Sequence, residues 1–195
     1  MAVLDWIAPE AGPVVEGDIV RLRPPRSGDF REWAELRAAS RAFLQPWEPT
    51  WPADDLTRAA YRRRLALYAR DRDLGQGHAF FIFRRTDGAL VGGINLRGVT
   101  RGVAQSAAIG YWAGAAYARQ GYTLSALKAL TAFGFDALGL HRLEAACCTD
   151  NTPSRRLLLK AGFTEEGTAR SYLKINGIWR DHLTFGLIGD EPRTA

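Results

Sequence analysis

Residues 109–130 run IGYWAGAAYARQGYTLSALKAL, an apolar stretch, a glycine-bearing turn and a leucine-rich segment in succession. Ile109-Gly110-Tyr111-Trp112 reads as a strand and Ala118-Arg119-Gln120-Gly121-Tyr122-Thr123 as a turn. Leu124, Leu127 and Leu130 then recur at helical spacing on one side of the following segment. A strand that feeds a glycine turn into a helix start gathers several unpaired backbone N–H groups. Together with the positive end of the helix dipole they suit a phosphate. Gly121 lets the backbone approach an anion, and Arg119 adds charge beside it. The same pattern also describes an ordinary connection in which glycine serves turn geometry alone. The local sequence leaves both readings open.

Working outward, Asp18 to Arg23 alternates apolar and charged residues as a strand with one wet face does. A helix follows from Asp29 to about Ser40, its buried stripe expected at Phe30, Trp33, Ala34 and Leu36. A loop rich in Trp and Pro covers Gln45 to Pro52. Asp54 and Asp55 then precede a second helix, about Leu56 to Arg72, where acids suit the dipole. Its Arg62, Arg63 and Arg64 read as a solvated face or a binding patch. Strands are expected at Ala79–Arg85, Leu90–Leu96 and Ala107–Trp112, then a helix at Thr123–Leu138. A strand at Arg142–Cys148, a helix at Pro153–Ala161 and strands at Ala169–Ile175 and Trp179–Leu187 complete the chain. Consecutive strands with interspersed helices imply a mixed sheet rather than a uniformly wound parallel one. Residues 1–17 read as an N-terminal arm, 18–189 as one domain and 190–195 as a C-terminal tail.

Composition narrows the class. The chain has 195 residues, 47% hydrophobic and 24% charged, which is close to a globular average and argues against disorder or a stapled miniature. No apolar run approaches the roughly 20 residues of a membrane span, and Met1 to Glu10 lacks a basic cluster, so neither a membrane protein nor a signal peptide is expected. Cys147 and Cys148 are adjacent, a poor arrangement for a mutual disulfide. The expected location is the cytoplasm. The net charge of +5, carried by 23 Arg and 3 Lys, is compatible with nucleic acid, a phosphate-bearing cofactor or an acidic docking surface. No basic-aromatic motif supports direct nucleic-acid binding. His78, His141 and His182 lack metal-ligand spacing, so no metal is expected.

The second half carries His141-Arg142-Leu143-Glu144-Ala145, then Asn151-Thr152-Pro153-Ser154, then Leu159-Lys160-Ala161-Gly162-Phe163. In this order, with the glycine turn upstream, the chain resembles the GNAT superfamily of acetyl-CoA-dependent N-acetyltransferases. Arg41-Ala42-Phe43-Leu44-Gln45-Pro46-Trp47-Glu48-Pro49 and Ile175-Asn176-Gly177-Ile178-Trp179-Arg180-Asp181-His182 sharpen the likeness to the RimJ/RimL-type ribosomal-protein alanine N-acetyltransferases. The likeness spans about Val20 to Leu187. It implies a single α/β (α+β) domain with a mixed, mostly antiparallel central sheet flanked by helices.

The resemblance also implies roles. Tyr111, Trp112 and Ala113 would bind the pantetheine arm of acetyl-CoA along the strand. Arg119, Gln120, Gly121, Tyr122, Thr123 and Leu124 would hold its pyrophosphate. Family turns follow Gln/Arg-x-x-Gly-x-Gly/Ala, whereas this chain has Ala118 first and Thr123 last. Asn151 would sit by the cofactor arm and Ser154 by the thioester sulfur, able to protonate the leaving thiolate. As residues at a helix start, both are equally ordinary caps. Glu48 is the candidate for holding or deprotonating the amine, against a plain solvated loop acid; Asp181 and Glu144 are lesser candidates. Trp47, Trp51, Tyr172 and Trp179 would wall the acceptor groove or pack a core.

An α-amine with a pKa of about 7.7–8.0 is roughly 10–15% neutral at pH 7, whereas lysine at about 10.4 is roughly 0.04% neutral. An enzyme of protein N-termini therefore needs only a modest base. The leading expectation is direct acetyl transfer from acetyl-CoA to the N-terminus of a ribosomal protein. The alternatives are a small amine or antibiotic as acceptor, or a non-catalytic module that binds acetyl-CoA or docks on the ribosome.

Overall fold

The computed structural model describes residues 12–189. Eight strands form one sheet: β1 (Val15–Glu16), β2 (Val20–Arg23), β3 (Gly77–Arg84), β4 (Leu90–Thr100), β5 (Ser106–Ala113), β6 (Arg142–Cys148), β7 (Thr164–Ile175) and β8 (Ile178–Ile188). Their order across the sheet is β1-β2-β3-β4-β5-β6-β8-β7. Every neighbouring pair is antiparallel except β5 with β6. The helices are α1 (Phe30–Ala39), α2 (Arg41–Leu44), α3 (Arg58–Asp73), α4 (Tyr122–Ala132) and α5 (Thr152–Lys160). The mixed sheet expected from the element order is therefore observed. β1 was not foreseen, because a two-residue pairing has no periodicity to read. The rest of the expected arm and the tail fall mostly outside the described residues.

Two hydrophobic clusters sandwich the sheet, and β3 shows why. Its Phe80 and Ile82 join the cluster that contains Ala126, Leu127 and Leu130 of α4, while Phe81 and Phe83 join Trp33 and Tyr61 of α1 and α3. A strand covered on both faces has no polar alternation, which is how Phe80-Phe81-Ile82-Phe83 reads. Trp33 and Tyr61 pack with ring centroids 4.8 Å apart, and the Tyr61 hydroxyl donates to the Arg26 carbonyl at 2.8 Å.

The helix starts differ from expectation in an informative way. The Thr57 side chain caps α3 by accepting from the Ala60 amide. Asp54 and Asp55 instead reach back to Arg63 and Arg64, at 2.8 Å for the second pair. Two of the three consecutive arginines of α3 are thus held by acids. At the far end, Asn176 (φ 44°) and Gly177 (φ 83°) make the two-residue turn between β7 and β8. Two positive φ angles in succession match the right-handed twist of a hairpin, and Asn-Gly adopts them at low cost. No helix among the described residues is long and apolar enough to cross a membrane.

Candidate active site

β5 and β6 part company halfway along. They pair in parallel only from Ser106–Arg142 to Ile109–Ala145. Beyond that point β5 stays with β4 as far as Ala113, and β6 stays with β8 as far as Cys148. The Gly114 amide donates to the Val91 carbonyl at 2.9 Å. Antiparallel alternation then turns the amides and carbonyls of Tyr111 and Ala113 away from β4, into the opening that β6 leaves. A strand edge freed inside a sheet offers hydrogen bonds to an extended, amide-bearing ligand.

The opening leads to the start of α4. Gly121, at φ 84°, is in the left-handed region and supplies no side-chain cap. The first-turn amides of α4 are therefore left for an external acceptor. Arg119 is also left-handed, at φ 62°, and exposed. Successive backbone N–H groups in such a turn form an anion-binding concavity. Gln120 is turned back, its side chain donating to the Ala116 carbonyl at 2.7 Å. Tyr122 packs edge-on to Tyr117, and its hydroxyl lies 3.4 Å from Arg84, whose charge is matched by Asp87. The residues present thus fit an anion joined to a polar arm. The donors that the turn offers are mostly main-chain amides, which Ala118 and Thr123 still carry.

Across the opening, Asn151 and Ser154 divide the two tasks that their sequence position left open. Asn151 is the cap, its Oδ1 accepting from the Ser154 amide at 3.1 Å. The Ser154 hydroxyl is not used for capping and lies 2.6 Å from the Tyr111 hydroxyl. That contact links β5 to the first turn of α5, the helix that follows β6. Burial pushes the Tyr111 phenol well above its usual range, and pushes the Cys147 thiol beside Ser154 up to about 11.

Glu48 is not a loose acid. Its Oε1 and Oε2 accept from the two terminal nitrogens of Arg37, each at 2.7 Å, and Oε2 also accepts from the Trp51 indole at 2.7 Å. Arg37 is 6% exposed and lies between the Trp51 ring at 4.1 Å and the Trp112 ring at 5.0 Å. Asp55 is 4.0 Å from the same guanidinium. The Trp112 indole reaches this position because Gly93 has no side chain; a Cβ there would meet the indole nitrogen at 2.4 Å. Glu48 therefore ties the 45–52 loop to α1 and β5. Arg37 was missed in the sequence, although a signal was present: it lies four residues after Trp33, on the stripe that a helix buries, where an unpaired arginine is rare.

The hairpin of β7 and β8 closes over this loop, the Asn176 amide donating to the Glu48 carbonyl at 2.9 Å. Tyr172 and Trp179 are 50% and 61% exposed on the hairpin, whereas Trp47 is half-buried on the loop. Asp181 accepts from the Ser171 amide at 2.8 Å and holds Ser171 at φ 47° in a bulge of β7. Glu144 is paired with Arg142. Behind the bulge, the buried His182 ring sits edge-on to Tyr172 and 3.5 Å from the Cys148 thiol. Its other ring nitrogen faces the Arg180 carbonyl at 2.9 Å and so carries the proton, leaving Nε2 to accept from sulfur. Both cysteines are buried thiols whose burial opposes ionisation. At pH 8 the folded protein is expected to resist iodoacetamide, with both sites labelled only after unfolding, as read by intact mass. Rapid labelling of either in the native state would contradict this environment. Among the described residues no group of three or more His, Cys, Asp and Glu is arranged to hold a metal.

Known proteins resemble this chain over most of its length. The model of the acetyltransferase (GNAT) domain family matches residues 20–164. The chain is 32% identical over 178 residues to "Probable N-acetyltransferase YjcK" of Bacillus subtilis (strain 168), covering 91% of this chain and 98% of that one. It is 31% identical over 169 residues to the ribosomal protein uS5-alanine N-acetyltransferase of Escherichia coli (strain K12), covering 87% and 86%. Among solved structures, Mycobacterium smegmatis RimJ in complex with CoA-disulfide superposes with a TM-score of 0.84 at 34% identity, over 92% of this chain and 87% of that one.

Proposed function

The chain belongs to the GNAT acetyltransferase family and is an N-acetyltransferase, and from that premise we propose that it transfers acetyl from acetyl-CoA directly to the α-amine of a ribosomal-protein N-terminus. The observation that carries the reading is the parting of β5 and β6 beyond Ile109 and Ala145, which opens onto the uncapped start of α4. The freed groups of Tyr111 and Ala113 bind the arm of the cofactor, and the turn from Arg119 to Leu124 takes its pyrophosphate. Bound acetyl-CoA supplies an activated acetyl thioester. Ser154, across the opening, donates to the sulfur as it leaves. Trp47, Tyr172 and Trp179 flank the acceptor, with the loop and hairpin locked together through Glu48 and Asn176.

Glu48 acts in this reading by holding the acceptor loop, because three hydrogen bonds already occupy its carboxylate. No dedicated strong base is required for an α-amine, a roughly 10–15% fraction of which is neutral at pH 7. The ribosomal acceptor is supported by the likeness to the uS5-alanine enzyme over most of both chains. The test is an acceptor panel: Ser-, Ala- and Thr-starting peptides, the same peptides with blocked N-termini and an internal lysine, and aminoglycoside-type amines. Acetyl-CoA consumption with mass-spectrometric localisation is expected to place acetyl on free N-termini, with the blocked peptides at least about 100-fold slower, in line with the roughly 300-fold difference in neutral amine. Turnover of the small amines alone would overturn the ribosomal-protein reading.

A further inference from the structure

Tyr111 lies on the cofactor strand, yet its side chain does something that backbone binding does not require. Its hydroxyl meets that of Ser154, on the helix that follows β6, at 2.6 Å, within hydrogen-bond range for two neutral hydroxyl groups. Two hydroxyls joined by one hydrogen bond hold two hydrogens, of which one lies inside the pair and the other points outward. Phenols are stronger acids than alkanols, so the favoured arrangement has Tyr111 donating and Ser154 accepting. The outward hydrogen is then that of Ser154. The amide of Ser154 is held separately by the Asn151 carboxamide, which fixes its backbone at the first turn of α5. Ser154 is thus fixed from two sides, with the Cys147 thiol as a further neighbour of its hydroxyl, and donation into its oxygen polarises the remaining O–H.

We infer that Tyr111 is a positioning residue for the leaving group: its hydroxyl orients Ser154 so that the Ser154 O–H is aimed at the sulfur of the departing thiol. The inference rests on the reading of Ser154 given above. As the new N–C bond forms and the C–S bond breaks, the electron pair remains with sulfur, and Ser154 stabilises it by donation. The proton shed by the attacking nitrogen is, in balance, the one that finally converts the thiolate to thiol. Neither hydroxyl changes its net protonation. Burial makes tyrosinate unfavourable at this position, which agrees with a role confined to hydrogen bonding. Tyrosine at 111 is therefore read as a choice of side chain, where any apolar residue would have filled the core as well.

The test uses the complex of the full chain with CoA, in which no transfer occurs. Thiolate absorbance near 240 nm is titrated from pH 6.5 to 9.5, with the desulfo-CoA complex as blank. The same blank carries whatever absorbance comes from Cys147, whose thiol burial holds up to about 11, and from Cys148, whose thiol burial also raises. The CoA thiol, an alkanethiol that lacks the acidifying backbone groups of cysteine and so lies above the cysteine value of about 8.5 when free, is expected to titrate about one unit lower when bound to the wild-type protein than in solution. Ser154→Ala is expected to remove most of that shift, and Tyr111→Phe about half of it. The phenylalanine keeps the ring that packs the core, so the fold is preserved. In turnover, Tyr111→Phe is expected to lower kcat about tenfold while leaving the KM for acetyl-CoA within about twofold. A normal shift in Tyr111→Phe, alongside a lost shift in Ser154→Ala, overturns this inference and leaves the role of Ser154 standing. An unchanged titration in Ser154→Ala removes the leaving-group reading itself, and absence of CoA binding removes the proposed function.

Discussion

Replacing Arg37 with methionine is expected to destabilise the protein by about 3 kcal/mol, lowering Tm by about 6–12 °C for a domain of this size. The guanidinium is buried, holds both oxygens of Glu48 and lies between two indole rings. Removing it leaves the Glu48 carboxylate with only the Trp51 donor and leaves Asp55 with Arg64 alone. Breaking one side of a buried ion pair costs roughly 3–5 kcal/mol because the remaining charge stays desolvated. Glu48 retains 19% side-chain exposure, which places the cost at the low end. The loop that Glu48 anchors also supports the hairpin tip, so the acceptor KM is expected to rise about tenfold while the KM for acetyl-CoA changes little. In the double variant Arg37→Met with Glu48→Gln, part of the stability should return, since the unpaired charge is gone. Thermal denaturation and initial rates at varied peptide decide it. A loss below about 1 kcal/mol with an unchanged acceptor KM would contradict a coupling role for this cluster.

Ser154→Ala is expected to lower kcat about 100-fold, the low end of the roughly 10²–10⁴ that a positioned proton donor contributes. Its fold should be nearly untouched. Asn151, not Ser154, caps α5, and the alanine keeps the amide that the cap accepts from. The KM for acetyl-CoA should stay within about threefold, because the proposed cofactor contacts lie on the strand edge and the α4 turn. A variant with kcat within about threefold of wild type would show that the reaction needs no donor at this position. The pairing with Arg37→Met is informative, since one variant acts through stability and the acceptor and the other through the leaving group alone.

Legibility along the chain follows the range of the forces involved. The bounds of β6 were readable to the residue, and those of α5 to within one, because local periodicity and capping chemistry set them. α3 was readable as a helix but not in its start, where Asp54 and Asp55 bind Arg63 and Arg64 rather than the helix end. A side chain nine residues away competed successfully with the dipole, and propensity carries no record of such a partner. The glycine turn was readable because glycine and an uncapped helix start are local features. Glu48 was visible as an acid in the Trp-Pro loop, but its partner Arg37 lies eleven residues earlier on a helix, and only packing unites them.

What the sequence alone determined is the order of the elements other than β1 and α2, the mixed sheet, the glycine turn and the family to which these belong. Each depends on neighbours within a few residues or on a linear order of motifs. The tertiary structure alone decided which polar groups remain available. Packing α5 beside β5 commits the Ser154 hydroxyl, which the local Asn151 cap does not use, to Tyr111, 43 residues away. The fold buries Arg37 against two rings and commits Glu48 to it. The physical reason is that hydrogen-bonding capacity is finite: each donor and acceptor is satisfied by whichever partner the fold brings within about 3 Å. A sequence states the capacity of every side chain, and only the fold states how much of it is still free.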